Sequence, residues 1–130
     1  MTQRKYILHL QPEHYAICRL PAQSRIPSWA EGDGFSAIVR TEDELSIVCL
    51  KERVPDGIRS EREWRVFKVE GPLDFSQIGV LAALSGSLAH VGVSIFVIST
   101  YETDYLMVIE RHLTQAVEAL EGDGHQVLIS

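Results

Sequence analysis

Residues 100–104, Thr100-Tyr101-Glu102-Thr103-Asp104, gather three hydroxyls and two carboxylates between the apolar runs "VSIFVIS" and "YLMVI". Carboxylates grouped in this way can hold an ammonium or a guanidinium. Each charge-assisted hydrogen bond to such a group contributes roughly 1.5–3 kcal/mol. A second set of polar functions lies at Asp74 to Gln77, which read as the first turn of a helix. Free amides at a helix start favour an anion such as a carboxylate. A zwitterion needs partners of both signs, so the two sets together fit a free amino acid. In the plainer alternative Asp74 only caps its helix while Glu102 and Asp104 only solvate a turn. The residue types alone leave both open.

Catalytic and metal chemistry have less to stand on. His9, His14, His90, His112 and His125 form no HxH or HExxH pair, which leaves no compact zinc motif. Cys18 and Cys49 lack CxxC spacing and each sits in an apolar run, so they read as inert buried thiols of a reducing compartment. No Walker loop occurs, and each Gly-Asp-Gly lacks the third glycine of a dinucleotide loop. "LSGSLAH" departs from a nucleophile elbow and falls inside a helix. No enzymatic activity, cofactor or metal is expected.

The elements around these residues follow from periodicity. Over residues 74–91, Phe75, Ile78, Leu81, Ala82, Ser85, Leu88 and Ala89 form one stripe at helical spacing. Asp74 and Gln77 sit at capping-box positions, and Gly79 and Gly86 share one face of the interior. Leu113, Ala116, Val117 and Leu120 predict a second helix stopped at Gly122. Strands are expected at residues 64–70, in the two runs around residues 100–104, and at residues 126–130. The order from Trp64 onward is β-α-β-β-α-β, the ferredoxin-like arrangement of two helices on one face of an antiparallel sheet.

The first half offers four strands, "KYILHL", "HYAICRL", "GFSAIVRT" and "ELSIVCLKE", with only "IPSWAEG" as a short helix. A weak internal repeat joins the halves. Thr41 and Thr100 both end a strand, and Glu44 and Asp104 both precede the next one, which makes the first hairpin tip one residue shorter. Gly32-Asp33-Gly34 and Gly122-Asp123-Gly124 also recur. The polar stretch 54–63 is the expected boundary, giving units 1–62 and 63–130.

Bulk properties agree with a globular, non-nucleic-acid-binding chain. Of 130 residues, 45% are hydrophobic and 23% charged, which argues against disorder. A formal net charge of −6 opposes binding to phosphate backbones and to anionic membranes. No window supplies the ~20 apolar residues of a membrane span, and the N-terminus lacks a signal-peptide pattern, so a cytoplasmic location is expected. Both faces of residues 93–100 are apolar, more than one layer of helices covers. Self-association, as a homodimer, or cover from the first half would account for that.

"VGVSIFVISTYETDYLMVIE" resembles the second strand, hairpin and third strand of ACT domains, small amino-acid-sensing modules. It is similar to the ACT units of aspartate kinases. "STYETDY" is similar also to the tandem-ACT arginine sensors of animals and to short bacterial proteins made only of ACT units. "FSAIVRTEDELSIVCL" resembles the partner unit of the latter. The resemblance implies an α+β fold of tandem ACT-like units, the second βαββαβ and the first degenerate. It further implies a ligand region at Leu73, Asp74, Phe75 and Ser76, at Gly92, Val93 and Ser94, and at Thr100, Glu102, Thr103 and Asp104. ACT units usually enter the first helix with Pro then Gly, whereas this chain has Gly71-Pro72 and adds Asp74, which favours a cationic amino acid. The expected function is a non-catalytic regulatory or sensor module for an amino acid, arginine or lysine favoured, bound at a unit or subunit interface and acting on a regulated protein partner. The alternative is an oligomerisation or protein-interaction module with no ligand.

Overall fold

The computed structural model describes residues 4–73 and 79–129. Its strands are β1 (Ile7–Leu10), β2 (Tyr15–Leu20), β3 (Ala37–Arg40), β4 (Leu45–Leu50), β5 (Ser60–Val69), β6 (Phe96–Ser99), β7 (Asp104–Ile109) and β8 (Gln126–Ile129). The helices are α1 (Val80–His90) and α2 (Leu113–Gly122), and 3-10 turns occupy Ser28–Ala30, Lys51–Arg53 and Glu110–His112. The fold is α+β. Residues 13–64 form one compact unit, here the N-terminal unit, and residues 1–12 with 65–130 form the other, the C-terminal unit. These bounds differ from the expected 1–62 and 63–130 because β1 pairs within the C-terminal unit. The stretch 54–63 is also not wholly a linker, since β5 begins at Ser60 with Glu61 and Glu63 facing solvent.

In the C-terminal unit the strand order is β6-β7-β5-β1-β8. Without β1 this is the ferredoxin-like order. β1 intervenes, antiparallel to β5 (Leu8 opposite Val69) and parallel to β8 (Leu8 opposite Val127). Alternation decides which residues enter the core, since successive strand side chains point to opposite faces. Leu8 and Leu10 of β1, Val69 of β5, and Leu106 and Val108 of β7 pack with Leu84 and Leu88 of α1 and with Ala116 and Leu120 of α2.

The second helix agrees with its sequence pattern. It ends where the His125 N–H donates to the Leu120 carbonyl at 3.0 Å and the Gly124 N–H to that of Glu121 at 2.9 Å. The first helix departs from expectation. Its described turns begin at Val80, and Gly79 stands at its boundary with φ of 86°, a left-handed conformation glycine adopts without strain, rather than in its interior. The buried residues are Val80, Leu84, Ser87 and Leu88, a stripe rotated from the expected one. "VLAALSGSLA" is apolar nearly all round, so spacing alone does not select the core face. The proposed cap at Asp74 and Gln77 lies outside the described residues.

In the N-terminal unit the order is β3-β4-β2-β5, with β2 antiparallel to both β4 and β5. This too is the ferredoxin-like order, yet the helices are reduced to 3-10 turns. One face is covered by Ala30, Trp29, Val54 and Ile58 over Ala16, Cys18, Leu45, Ile47 and Cys49. Both cysteines are buried and free. Burial pushes the Cys18 thiol up to about 11, which keeps it protonated and unreactive.

One constant shift of 59 residues relates the two hairpins. Ala37–Arg40 maps onto Phe96–Ser99, Leu45–Leu50 onto Asp104–Ile109, and Lys51–Arg53 onto Glu110–His112. Cross-strand register follows: Arg40 faces Leu45 as Ser99 faces Asp104. The tips have equal length, so the counterpart of Glu44 is Thr103 and not Asp104. The two Gly-Asp-Gly stretches do not obey this shift. One precedes β3 and the other β8, so they are ordinary turns and no part of the repeat.

Candidate functional site

The hairpin tip between β6 and β7 is closed by its own threonine. The Thr100 N–H and Oγ1 both donate to the Thr103 carbonyl, at 2.8 and 3.0 Å, while Thr100 Oγ1 accepts the Thr103 N–H at 3.3 Å. Asn-Gly would make a shorter turn without this side-chain closure. The N-terminal unit repeats the arrangement. Thr41 N–H donates to the Glu44 carbonyl at 2.9 Å, and Thr41 Oγ1 accepts the Asp43 and Glu44 N–H groups at 3.1 Å.

The loop leaving β5 docks on this tip. Leu73 N–H donates to the Glu102 carbonyl at 2.7 Å, and the Thr103 hydroxyl donates to the Val69 carbonyl at 2.6 Å. Thr103 is only 4% exposed, so its hydroxyl serves the fold and is not presented to solvent. Gly71 makes the approach possible. A Cβ there would stand 3.1 Å from the Glu102 carbonyl oxygen and 3.2 Å from Thr103 Cβ. Ser99 Oγ donates to Asp104 Oδ1 at 2.6 Å across the hairpin. Among the described residues no Lys, Arg or His lies within ion-pair distance of Asp104.

Of the expected ligand residues, Leu73, Thr100, Glu102, Thr103 and Asp104 are therefore brought together. Gly92, Val93 and Ser94 are not. They lie at the entry of β6, whose four residues span about 13 Å before the tip. There Gly92 and Val93 close α1, with N–H groups donating to Ala89 and Leu88 carbonyls at 3.0 Å, and Val93 is in the core. Asp74, Phe75 and Ser76 lie outside the described residues. Ser99, Gly71 and the Val69 carbonyl were missed in the sequence. Ser99 and Asp104 flanking a four-residue tip was the one available signal, since such flanking residues face each other across a hairpin.

Each unit also carries a depression, the first reaching Gly71 of the docked loop. One of 340 Å³ in the C-terminal unit is lined by His9, Gln11, Lys68, Glu70 and Gly71, with His9 Nε2 3.0 Å from Glu70 Oε1. Another of 330 Å³ in the N-terminal unit is lined by Glu13, His14, Leu50, Lys51 and Glu52. Among the described residues, no group of three or more His, Cys, Asp or Glu could hold a metal ion. No helix among them is long and apolar enough to cross a membrane.

A family model described as an ACT domain matches residues 59–122. Residues 59–122 belong to the ACT domain family. A separate model, described as an N-terminal domain, matches residues 13–57, which lie within the N-terminal unit. The ACT-domain chain is 36% identical over 109 residues to the rat (Rattus norvegicus) protein named cytosolic arginine sensor for mTORC1 subunit 1, covering 78% of this chain and 31% of the relative. It thus spans about a third of the length of that relative. A crystal structure of an Agrobacterium tumefaciens protein superposes with TM-score 0.94 at 38% identity, covering 98% of this chain and 96% of the other. The aspartate kinase of Clostridium acetobutylicum superposes with TM-score 0.65 at 13% identity, covering 86% of this chain and 33% of the other. That last likeness concerns the fold.

Proposed function

We propose that this ACT-domain chain is a regulatory or sensor module that binds a free amino acid without catalytic activity, arginine or lysine being favoured. Its ligand would sit at the tip of the β6–β7 hairpin or where a second subunit meets that tip. The observation that carries the reading is the Asp104 carboxylate at the end of the tip on which residues 71–73 dock, with the Ser99 hydroxyl as its hydrogen-bond donor and no cation in reach among the described residues. An uncompensated acid at the docking point of a loop favours a cationic ligand, because a charge-assisted hydrogen bond is stronger than a neutral one. The name of the rat relative supports the same chemistry, and its word "cytosolic" supports action in the cytoplasm on a regulated protein partner.

A second reading, an oligomerisation or interaction module with no ligand, is favoured by one fact: the Leu73 amide and the Thr103 hydroxyl already have internal partners. Calorimetric titration of the full chain with L-arginine, L-lysine and the other amino acids separates the two. Asp104→Asn should weaken the bound amino acid by about 10- to 100-fold while leaving the melting temperature of the free protein nearly unchanged. No heat and no thermal shift with any of the twenty would favour the interaction module.

A further inference from the structure

The N-terminal unit repeats the loop–hairpin junction, but with a different occupant. We propose that Arg40 is a tethered ligand of that unit, its own guanidinium serving there the part that a free cationic amino acid would serve in the C-terminal unit. The inference rests in part on the amino-acid-binding reading above. The shift of 59 residues places Arg40 where Ser99 stands and Leu45 where Asp104 stands. Counting from the ends of β2 and β5, Ala22 and Ser24 correspond to Gly71 and Leu73.

In the C-terminal unit Gly71 and Leu73 meet the hairpin backbone directly, through the Leu73 N–H bond to Glu102. In the N-terminal unit the corresponding loop is held by Arg40. Nη1 donates to the Ala22 carbonyl, and Nη2 donates to the Ser24 carbonyl at 2.8 Å. The planar guanidinium suits two carbonyls at once, as a lysine ammonium would not. Both Arg40 and Ser99 share the parity of residues that pack on their unit's core, Ile38 and Val97, so each ends its strand on the core side.

The exchange between the two junctions is one of charge. Arg40 opposite the fully buried Leu45 brings a cation and no acid. Ser99 opposite Asp104 brings an acid and no cation. A junction that supplies its own guanidinium has no use for a free one, whereas its counterpart has the complementary charge. The chain would accordingly take one cationic amino acid, and take it in the C-terminal unit.

Two substitutions in the full-length chain test this. Ser99→Arg installs the tether in the C-terminal unit and should weaken L-arginine binding by about tenfold or more, with an unchanged or raised melting temperature in its absence. Binding at parental affinity would overturn the proposal. Arg40→Ala should lower the melting temperature by a few degrees, and millimolar ethylguanidinium should restore it where ethylammonium does not. Loss of stability that ethylguanidinium fails to restore, or no loss at all, would overturn the proposal. If Arg40→Ala does not fold, Arg40→Lys carries the same comparison, since it keeps the charge and loses the two-carbonyl fork. The rescue arm uses no amino acid, so a chain that binds none of them would sink the functional reading while leaving the Arg40 arm to decide for itself.

Discussion

The β3–β4 and β6–β7 hairpins share length, register and a threonine-closed tip, yet their first cross-strand pair differs in every physical respect. Leu45 is fully buried and belongs to the core of its unit, while Arg40 opposite it reaches out to the loop after β2. Asp104 is partly exposed and bound to Ser99. The fourth position of the turn diverges as well. Glu44 takes part through its backbone, whereas the Thr103 side chain is buried and tied to β5. A repeated scaffold can therefore be stabilised from within in one copy and, among the described residues, carry an acid without a cation partner in the other. The difference suggests that the copies have separate duties: the N-terminal unit holds shape without helices, and the C-terminal unit carries the exposed chemistry.

The largest expected effect tests that division directly. Leu45→Ala removes a fully buried side chain from a small core and should cost about 2–5 kcal/mol in urea unfolding. The same truncation at the equivalent position, Asp104→Ala, should stay within about 0.5 kcal/mol, because a partly exposed acid contributes little to stability. Comparable losses at both positions would mean that the two pairs play one structural role, and the comparison would fail.

A smaller effect separates the two turns. Thr103→Val keeps the shape but removes the hydroxyl bonded to the Val69 carbonyl, so it should cost about 1–2 kcal/mol. Glu44→Gln, its counterpart, should be silent within about 0.5 kcal/mol. Equal costs would show that burial at the tip is not what distinguishes the C-terminal unit.

This contrast also marks where the sequence was legible. The apolar runs flanking residues 100–104 and the periodic residues of α2 announced their elements, because burial on one face leaves a local pattern. Thr103 between two acids read as a ligand residue and not as a buried tie, since its partner Val69 is 34 residues away and no local pattern records it. The four residues of β1 alternate like any edge strand, and nothing in "ILHL" tells that they pair with β5 and β8 rather than within the N-terminal unit. The face of α1 was misread for the opposite reason, an excess of apolar residues. At the site, the acids were visible from composition. Ser99 and Arg40 became visible only once the register placed them opposite Asp104 and Leu45.

The smallest expected effect concerns β1, the strand that has no counterpart in the N-terminal unit. His125, 6% exposed, accepts the Tyr6 N–H at Nδ1 (3.1 Å) and stacks on the Tyr6 ring at 5.7 Å, just before β1 begins. An imidazole that accepts there cannot also carry a proton on Nδ1. Burial lowers its pKa, and the nearby Lys5 ammonium lowers it further against the opposing pull of Asp123. For a base depressed in the folded state, the unfolded chain binds the proton more readily. Its full stability is present above the unfolded value of 6.5 and is lost as pH falls from there towards the folded value. His125→Asn keeps an acceptor near the position of Nδ1 but cannot titrate. Melting temperatures measured between pH ~5 and 7 should then fall with acid in the parent and fall less in the variant. Parallel slopes in the two proteins would mean that some other group sets the acid sensitivity. The attachment of β1 would then not depend on a neutral His125.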